Sequence, residues 1–226
     1  MRYRVLLCDA DDTLLDFSAA EKSALYAVLK RFDMPRDEQV CEQYARINAS
    51  LWKALERGET TQSALKEDRF RLLADALNVH RDIPALSAAY AHELGLQAPL
   101  MPGAEAFIRA VSVHMPIYVV TNGIASIQKS RMSLSGLLPY IADLIISEEV
   151  GFQKPDPAML HIALERGGFT KRDAVMLGDS LSADIAAATL AGIDSIWIHW
   201  AREHTLSDAH YQVKNLHEAR EIILSS

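Results

Sequence analysis

Asp9-Ala10-Asp11-Asp12-Thr13 sets two carboxylates two residues apart, just where the first apolar run of the chain ends. A carboxylate can attack phosphorus to form an aspartyl phosphate, dividing one difficult hydrolysis into two easier displacements. Asp9 is the candidate nucleophile. Asp11 is spaced to protonate the departing oxygen and then take a proton from the attacking water. Three more segments follow in order: Thr121-Asn122-Gly123, Lys154-Pro155-Asp156, and Gly178-Asp179-Ser180 with Asp184 beyond it. Thr121 offers a hydroxyl, Asn122 an amide and Lys154 a point charge, the preorganised donors that transferring phosphoryl oxygens need. Lys154 is expected to reach both the phosphate and Asp9. Two carboxylates and a phosphate dianion call for a counter-charge, which Mg2+ held by oxygen ligands supplies. Asp179 is the natural third acid, and Asp184 the group that orients the ligands.

Residues with these tasks need a frame. Tyr3 to Cys8, Ile117 to Val120, Asp143 to Ile146, Ala174 to Leu177 and Ser195 to Ile198 are short apolar runs that read as buried strands. Gly103 to Ser112, Ala125 to Leu134, Pro157 to Arg166 and Leu181 to Ala191 carry helical spacing between them. Alternation of this kind predicts a Rossmann-like, doubly wound parallel sheet with helices on both faces. Ligands in such sheets gather beyond the carboxyl ends of the strands, where every one of the four segments falls. Taken singly, each segment also reads as an ordinary turn or helix cap. Their order, strand-end placement and complementary charge together favour the phosphoryl-transfer reading.

The stretch from about Ala19 to Gln97 breaks the alternation. It is rich in Ala, Leu, Glu, Lys and Arg, has no β-branched run, and is punctuated by Pro35, Gly58, Glu59-Thr60-Thr61 and Asp82-Ile83-Pro84. It reads as an all-helical cap of four helices over residues 19–97, inserted into a core built from residues 1–18 and 98–226.

Composition narrows the class. Half of the 226 residues are hydrophobic, enough for a buried core, and the net charge is -7. With a pI near 5.6 the chain has no bulk attraction for nucleic acid or an anionic membrane. The expected partner is a small phosphomonoester. Cys8 and Cys41 lie outside any disulfide or zinc-type pattern. No N-terminal leader and no apolar run of about 18 residues is present, so the expected location is the cytoplasm.

The four segments are similar to the motifs of the haloacid-dehalogenase superfamily, and the resemblance covers the whole chain. It implies Asp9 as nucleophile, Asp11 as acid and base, and Thr121, Lys154 and Asp179 as phosphate- and metal-binding residues, with Asp184 auxiliary. It further implies magnesium held by the Asp9 carboxylate, the Asp11 backbone carbonyl and Asp179. The presence of Asp11 separates the chain from the superfamily's dehalogenases, which lack that acid, and from its transport ATPases, which carry Thr there. Asn48-Ala49-Ser50-Leu51-Trp52, Glu56-Arg57-Gly58, Arg69-Phe70 and the run from Ile145 to Gly151 resemble the pyrimidine 5′-nucleotidases of the superfamily. A phosphatase or phosphomutase acting on sugar phosphates is the alternative, and a metabolite-binding protein without turnover is another.

Asn48 and Trp52, four apart on a helix, could hydrogen-bond and stack a pyrimidine, while Trp52 also suits the cap core. Phe17 is a further stacking candidate. Arg69 is a candidate ligand contact, with a place at the surface or in a salt bridge within the cap as the favoured reading. Trp197 and Trp200 are expected to cover the sheet, and His199 with His204 lacks the spacing of a metal pair.

Overall fold

A computed structural model describes residues 2–200 and 207–225, which leaves His204 outside the described residues. By its internal contacts the chain divides into a unit formed by Met1–Phe17 with Ala98–Ser226 and a second unit, Ser18–Gln97.

The first unit is built on a parallel sheet of β1 (Val5–Cys8), β2 (Ile117–Thr121), β3 (Asp143–Ile146), β4 (Ala174–Gly178), β5 (Asp194–Ile198) and β6 (Tyr211–Val213). The strands lie in the order β3-β2-β1-β4-β5-β6. β1 is wholly buried, and successive residues point to opposite faces. Leu6 and Cys8 pack with α5 (Ala104–Ser112) and α10 (Leu216–Ser225). Val5 and Leu7 pack with α8 (Ala158–Gly167) and α9 (Ala186–Ala191). Covering on both faces explains why these strands are continuous apolar runs rather than alternating ones. The fold is the doubly wound α/β class expected from the sequence.

The four-residue helix α7 (Ser147–Val150) was not foreseen, and two further elements depart from the expectation. β6 is three residues long with only one fully buried position, too short for a periodic signal. The segment expected as one helix from Leu181 to Ala191 is a π-helical turn, Leu181–Ile185, running into α9. Such insertions recur at functional sites, and this one carries Asp184.

The chain leaves β1, builds outward through β2 and β3, and returns to β4 on the other side of β1. The order reverses between β1 and β4, the switch point at which open sheets bind ligands. Cys8 pairs with Leu177 in register, so Asp9 leaves β1 beside Gly178, one residue before Asp179.

The second unit comprises α1 (Phe17–Arg31, whose first residue belongs to the first unit), α2 (Glu38–Glu56), α3 (Gln62–Ala76) and α4 (Ile83–Gly95). Three starts are set by side-chain caps: Asp37 accepts from the Val40 amide, Thr61 from Ala64 and Asp82 from Ala85. Tyr44, Phe70 and Tyr90 meet at its centre with ring centroids 5.3 to 5.6 Å apart. No described helix is long and apolar enough to cross a membrane.

Candidate active site

β1 ends at Cys8, and the chain turns sharply at once. The Asp9 amide is still held by the Leu177 carbonyl at 2.9 Å, and the Leu14 and Leu15 amides both return to the Ala10 carbonyl. Asp12 sits at the crest of this loop with φ 58°, a left-handed conformation that Asp tolerates better than most residues. Its carboxylate caps the Phe17 amide at 3.0 Å. The loop thereby presents Asp9 and Asp11 beyond the sheet.

Lys154 is the centre of the charge arrangement. Its ammonium is buried and donates to Asp9 Oδ1 at 2.6 Å, Asp184 Oδ1 at 2.7 Å and the Val120 carbonyl at 2.7 Å. Three donors and three acceptors match, which is the condition for keeping a buried ammonium. Burial opposes its charge, but the carboxylates of Asp184 and Asp9 outweigh burial and raise its pKa. Asn122 holds the Lys154 backbone from both sides, accepting its N–H and donating to its carbonyl, each at 2.7 Å. The Asn122 amide, expected to face phosphate, therefore positions Lys154. The peptide bond between Lys154 and Pro155 is cis.

Asp184 is equally committed: Oδ2 accepts the Ser180 amide at 3.0 Å while Oδ1 takes Lys154. A Cβ on Gly178 would lie 2.3 Å from Asp184 Oδ2, so the glycine that ends β4 makes room for this carboxylate. Asp9, Asp179 and Asp184 each bring a carboxylate oxygen within 4.8 Å of the others. Three carboxylates face one buried ammonium. Burial pushes the Asp9 pKa up to about 7, with the Lys154 charge opposing the rise and Asp184 adding to it. Hard oxygen donors lacking counter-charge are the donor set that Mg2+ prefers. The residues present therefore fit the ion.

Thr121, at the end of β2, is buried, and its hydroxyl is 3.2 Å from Gln128 Nε2. The Asp11 side chain lies outside the acidic cluster. It turns to α6 (Ala125–Leu134), where Gln128 Nε2 donates to Oδ2 at 2.5 Å and Arg131 Nη1 donates to Oδ1. Sequence reading missed both partners; their spacing of three on a helix beginning just after Thr121-Asn122-Gly123 was the available signal.

The tryptophans do more than cover the sheet. Trp197 Nε1 donates to the Asp179 carbonyl at 2.8 Å, and Trp200 Nε1 to the Asp12 carbonyl at 2.7 Å. Each indole pins one acidic loop. His199 is buried with its ring 5.1 Å from Trp197, as packing predicts.

The remaining candidates separate into the two units. Phe17 lies in the sheet unit, under the Arg131 guanidinium at 5.6 Å. In the helical unit Asn48 is buried and donates to Glu21 at 2.6 Å, leaving Asn48 Oδ1 without a partner, while Trp52 is half-buried. Arg69 is neither at the surface nor in a salt bridge, contrary to expectation. It is buried over Tyr90 at 4.4 Å and Phe70 at 5.5 Å, because the aromatic centre of the unit accepts a flat cation.

Comparison with known proteins matches residues 3–192 to the haloacid dehalogenase-like hydrolase model. The HAD-hydrolase YfnB of Bacillus subtilis is 34% identical over 98% of this chain and 96% of its own. Its magnesium-bound crystal structure superposes with a TM-score of 0.93, covering 99% of both chains. The pyrimidine 5′-nucleotidase PynA of Streptococcus pneumoniae is 36% identical over 94% of this chain and 92% of its own. The pyrimidine 5′-nucleotidase YjjG of Escherichia coli is 28% identical over 99% of each. An acid-lined switch point, one buried lysine and a match spanning most of the chain lead to one assignment: this protein belongs to the haloacid dehalogenase-like hydrolase family.

Proposed function

We propose that the protein is a magnesium-dependent phosphatase that hydrolyses pyrimidine 5′-nucleoside monophosphates through an aspartyl phosphate on Asp9. The carrying observation is the Lys154 bridge, which binds Asp9 through one oxygen only. Oδ1 is fixed by the ammonium, and Oδ2 is left to attack phosphorus. As the Oδ2–P bond forms, the ester P–O bond breaks and the departing 5′ oxygen takes a proton from Asp11. Water then attacks the phosphoryl group and gives a proton back to Asp11, and the Asp9–phosphorus bond breaks to release inorganic phosphate. Thr121 and Lys154 offset charge on the phosphoryl oxygens throughout. Asp9, the Asp11 backbone carbonyl and Asp179 would hold magnesium, which would supply the remaining positive charge when bound.

The pyrimidine preference rests on the likeness to PynA and YjjG across nearly the full chain. Within the helical unit, Asn48 and Trp52 are the residues assigned to the base. The test is phosphate release with Mg2+ across 5′-nucleotides, 3′-nucleotides and sugar phosphates, with Asp9→Asn as control. UMP, dUMP or dTMP should lead the panel and lose turnover in the variant. Undiminished turnover in Asp9→Asn overturns the nucleophile, and preference for sugar phosphates overturns the substrate class.

A further inference from the structure

We propose that Gln128 and Arg131 are positioning residues for Asp11, and that Gly123 is kept small so that Gln128 can reach it. The inference rests on the reading of Asp11 as the acid and base. Both Asp11 oxygens are engaged by one helix face, Oδ1 by Arg131 and Oδ2 by Gln128 at 2.5 Å. The same Gln128 nitrogen reaches Thr121 Oγ1 at 3.2 Å, tying the acid to the phosphate-binding hydroxyl. The clamp is rigid on its own side. Arg131 is wholly buried and Gln128 nearly so, whereas the Asp11 side chain keeps 28% of its exposure. The Phe17 ring under the guanidinium restricts its rotation further. A Cβ on Gly123 would fall 2.3 Å from Gln128 Cγ, inside any real contact, so an alanine there expels the amide.

Each carboxylate oxygen has two lone-pair directions. One on each is spent on α6, which fixes the plane of the carboxylate and leaves the other for the ester oxygen or the attacking water. A misplacement of about 1 Å can cost about 100-fold in rate, so a clamp of this kind acts on kcat.

The experiment is single-turnover kinetics of the first half-reaction for Gln128→Met, Arg131→Met, Arg131→Lys and Gly123→Ala, each also in an Asp11→Asn background. The paired substrates are dUMP, whose alkoxide needs a proton to leave, and 4-nitrophenyl phosphate, whose phenolate does not. Each methionine variant should lower the dUMP rate about 10- to 100-fold, a part of the roughly 100- to 10,000-fold that general acid catalysis supplies. Substrate KM and the Mg2+ requirement should hold, the aryl ester should lose far less, and Arg131→Lys should recover part of the rate. No further loss should appear in Asp11→Asn. Equal losses on both esters, or losses that add to Asp11→Asn, overturn the inference, as does a wild-type rate in both methionine variants when Asp11→Asn is inactive. If Asp11→Asn itself turns over dUMP normally, the acid–base reading fails first and the inference with it. Gln128→Met keeps the packing volume, so the test survives if Arg131→Met does not fold.

Discussion

Each unit of the protein buries a long cation at its centre, and Lys154 of the sheet unit, which also buries Arg131, and Arg69 of the helical unit are satisfied in opposite ways. Lys154 in the sheet unit is held by two carboxylates and a carbonyl. Arg69 in the helical unit faces the rings of Tyr90 and Phe70 and donates from Nε to the Lys66 carbonyl at 3.3 Å, with Nη2 left without a hydrogen-bond partner. The Tyr44 hydroxyl feels the Arg69 charge yet makes no hydrogen bond of good geometry. Charge collected for chemistry is compensated by opposite charge at short range, and it must be, because carboxylates gathered for a reaction repel one another. Charge used for packing can rest on polarisable surface. The difference sets the acid-lined sheet unit apart from the aromatic centre of the helical unit.

Removing each cation should break the comparison unequally. Lys154→Met leaves Asp9 and Asp184 buried without their ammonium, and breaking a buried pair costs about 3–5 kcal/mol. Phosphate release should fall to background, and denaturant unfolding should show a loss of that size. Added Mg2+ should restore part of the stability by binding the acids, without restoring turnover.

Asp184→Asn sharpens the same point more gently. The amide oxygen can still accept from Lys154 or the Ser180 amide, but one negative charge is gone. Turnover should drop about 10- to 100-fold if misplaced ligands account for it, and the Mg2+ concentration giving half-maximal rate should rise. An unchanged Mg2+ requirement would remove Asp184 from the metal's surroundings.

Arg69→Met is the counterpart in the helical unit. It gives up a desolvated cation–aromatic contact worth about 2 kcal/mol and relieves a buried charge with one unmatched donor, so the two effects oppose each other. Thermal unfolding should move by only a few degrees, since about 1 kcal/mol corresponds to about 2–4 °C at this chain size. A collapse like that of Lys154→Met would show that Arg69 has a hidden acidic partner.

The sequence made the sheet legible because its strands are buried on both faces and end in acids, so the same residues announced fold and chemistry. Asp9, Asp179 and Asp184 converge for that reason. The fates of Asn122, Gln128 and Arg131 were not legible. Each depends on which backbone group or carboxylate a side chain meets across 32, 117 or 120 residues of chain; local spacing puts Gln128 and Arg131 on one helix face but does not name the acid they meet. β6 escaped for another reason, having one fully buried position on which to build a pattern. Arg69 was not legible because a charged residue in a helical stretch suggests the surface or an ion pair, whereas a guanidinium over aromatic rings is a core residue.

The indole contacts offer a smaller test inside the sheet unit. Trp200→Phe keeps the ring and deletes the donor to the Asp12 carbonyl. One hydrogen bond is worth about 0.5–1.5 kcal/mol, so stability should fall by that amount and turnover by a few-fold through a looser nucleophile loop. Trp197→Phe, releasing the Asp179 carbonyl, should instead raise the Mg2+ concentration giving half-maximal rate. Matching profiles for the two would deny that each indole serves its own loop.

The smallest effect separates the units through their two cysteines. Cys8 ends β1 and is fully buried; burial pushes its thiol well above the ordinary range, and the charges of Asp9 and Asp184 push the same way. Cys41, on α2 of the helical unit, is partly exposed and raised mainly by partial burial, with Lys22 opposing. The thiolate is the reactive form, so iodoacetamide at neutral pH should label Cys41 slowly and leave Cys8 intact, as peptide mass mapping would read. Labelling of Cys8 should begin only when the sheet unit opens. Its rate in Lys154→Met against Arg69→Met then compares the damage done by each lost cation at the strand that carries the nucleophile. Faster Cys8 labelling in the lysine variant alone is the expected result, because Lys154 bonds to the residue next to Cys8 and Arg69 belongs to the other unit.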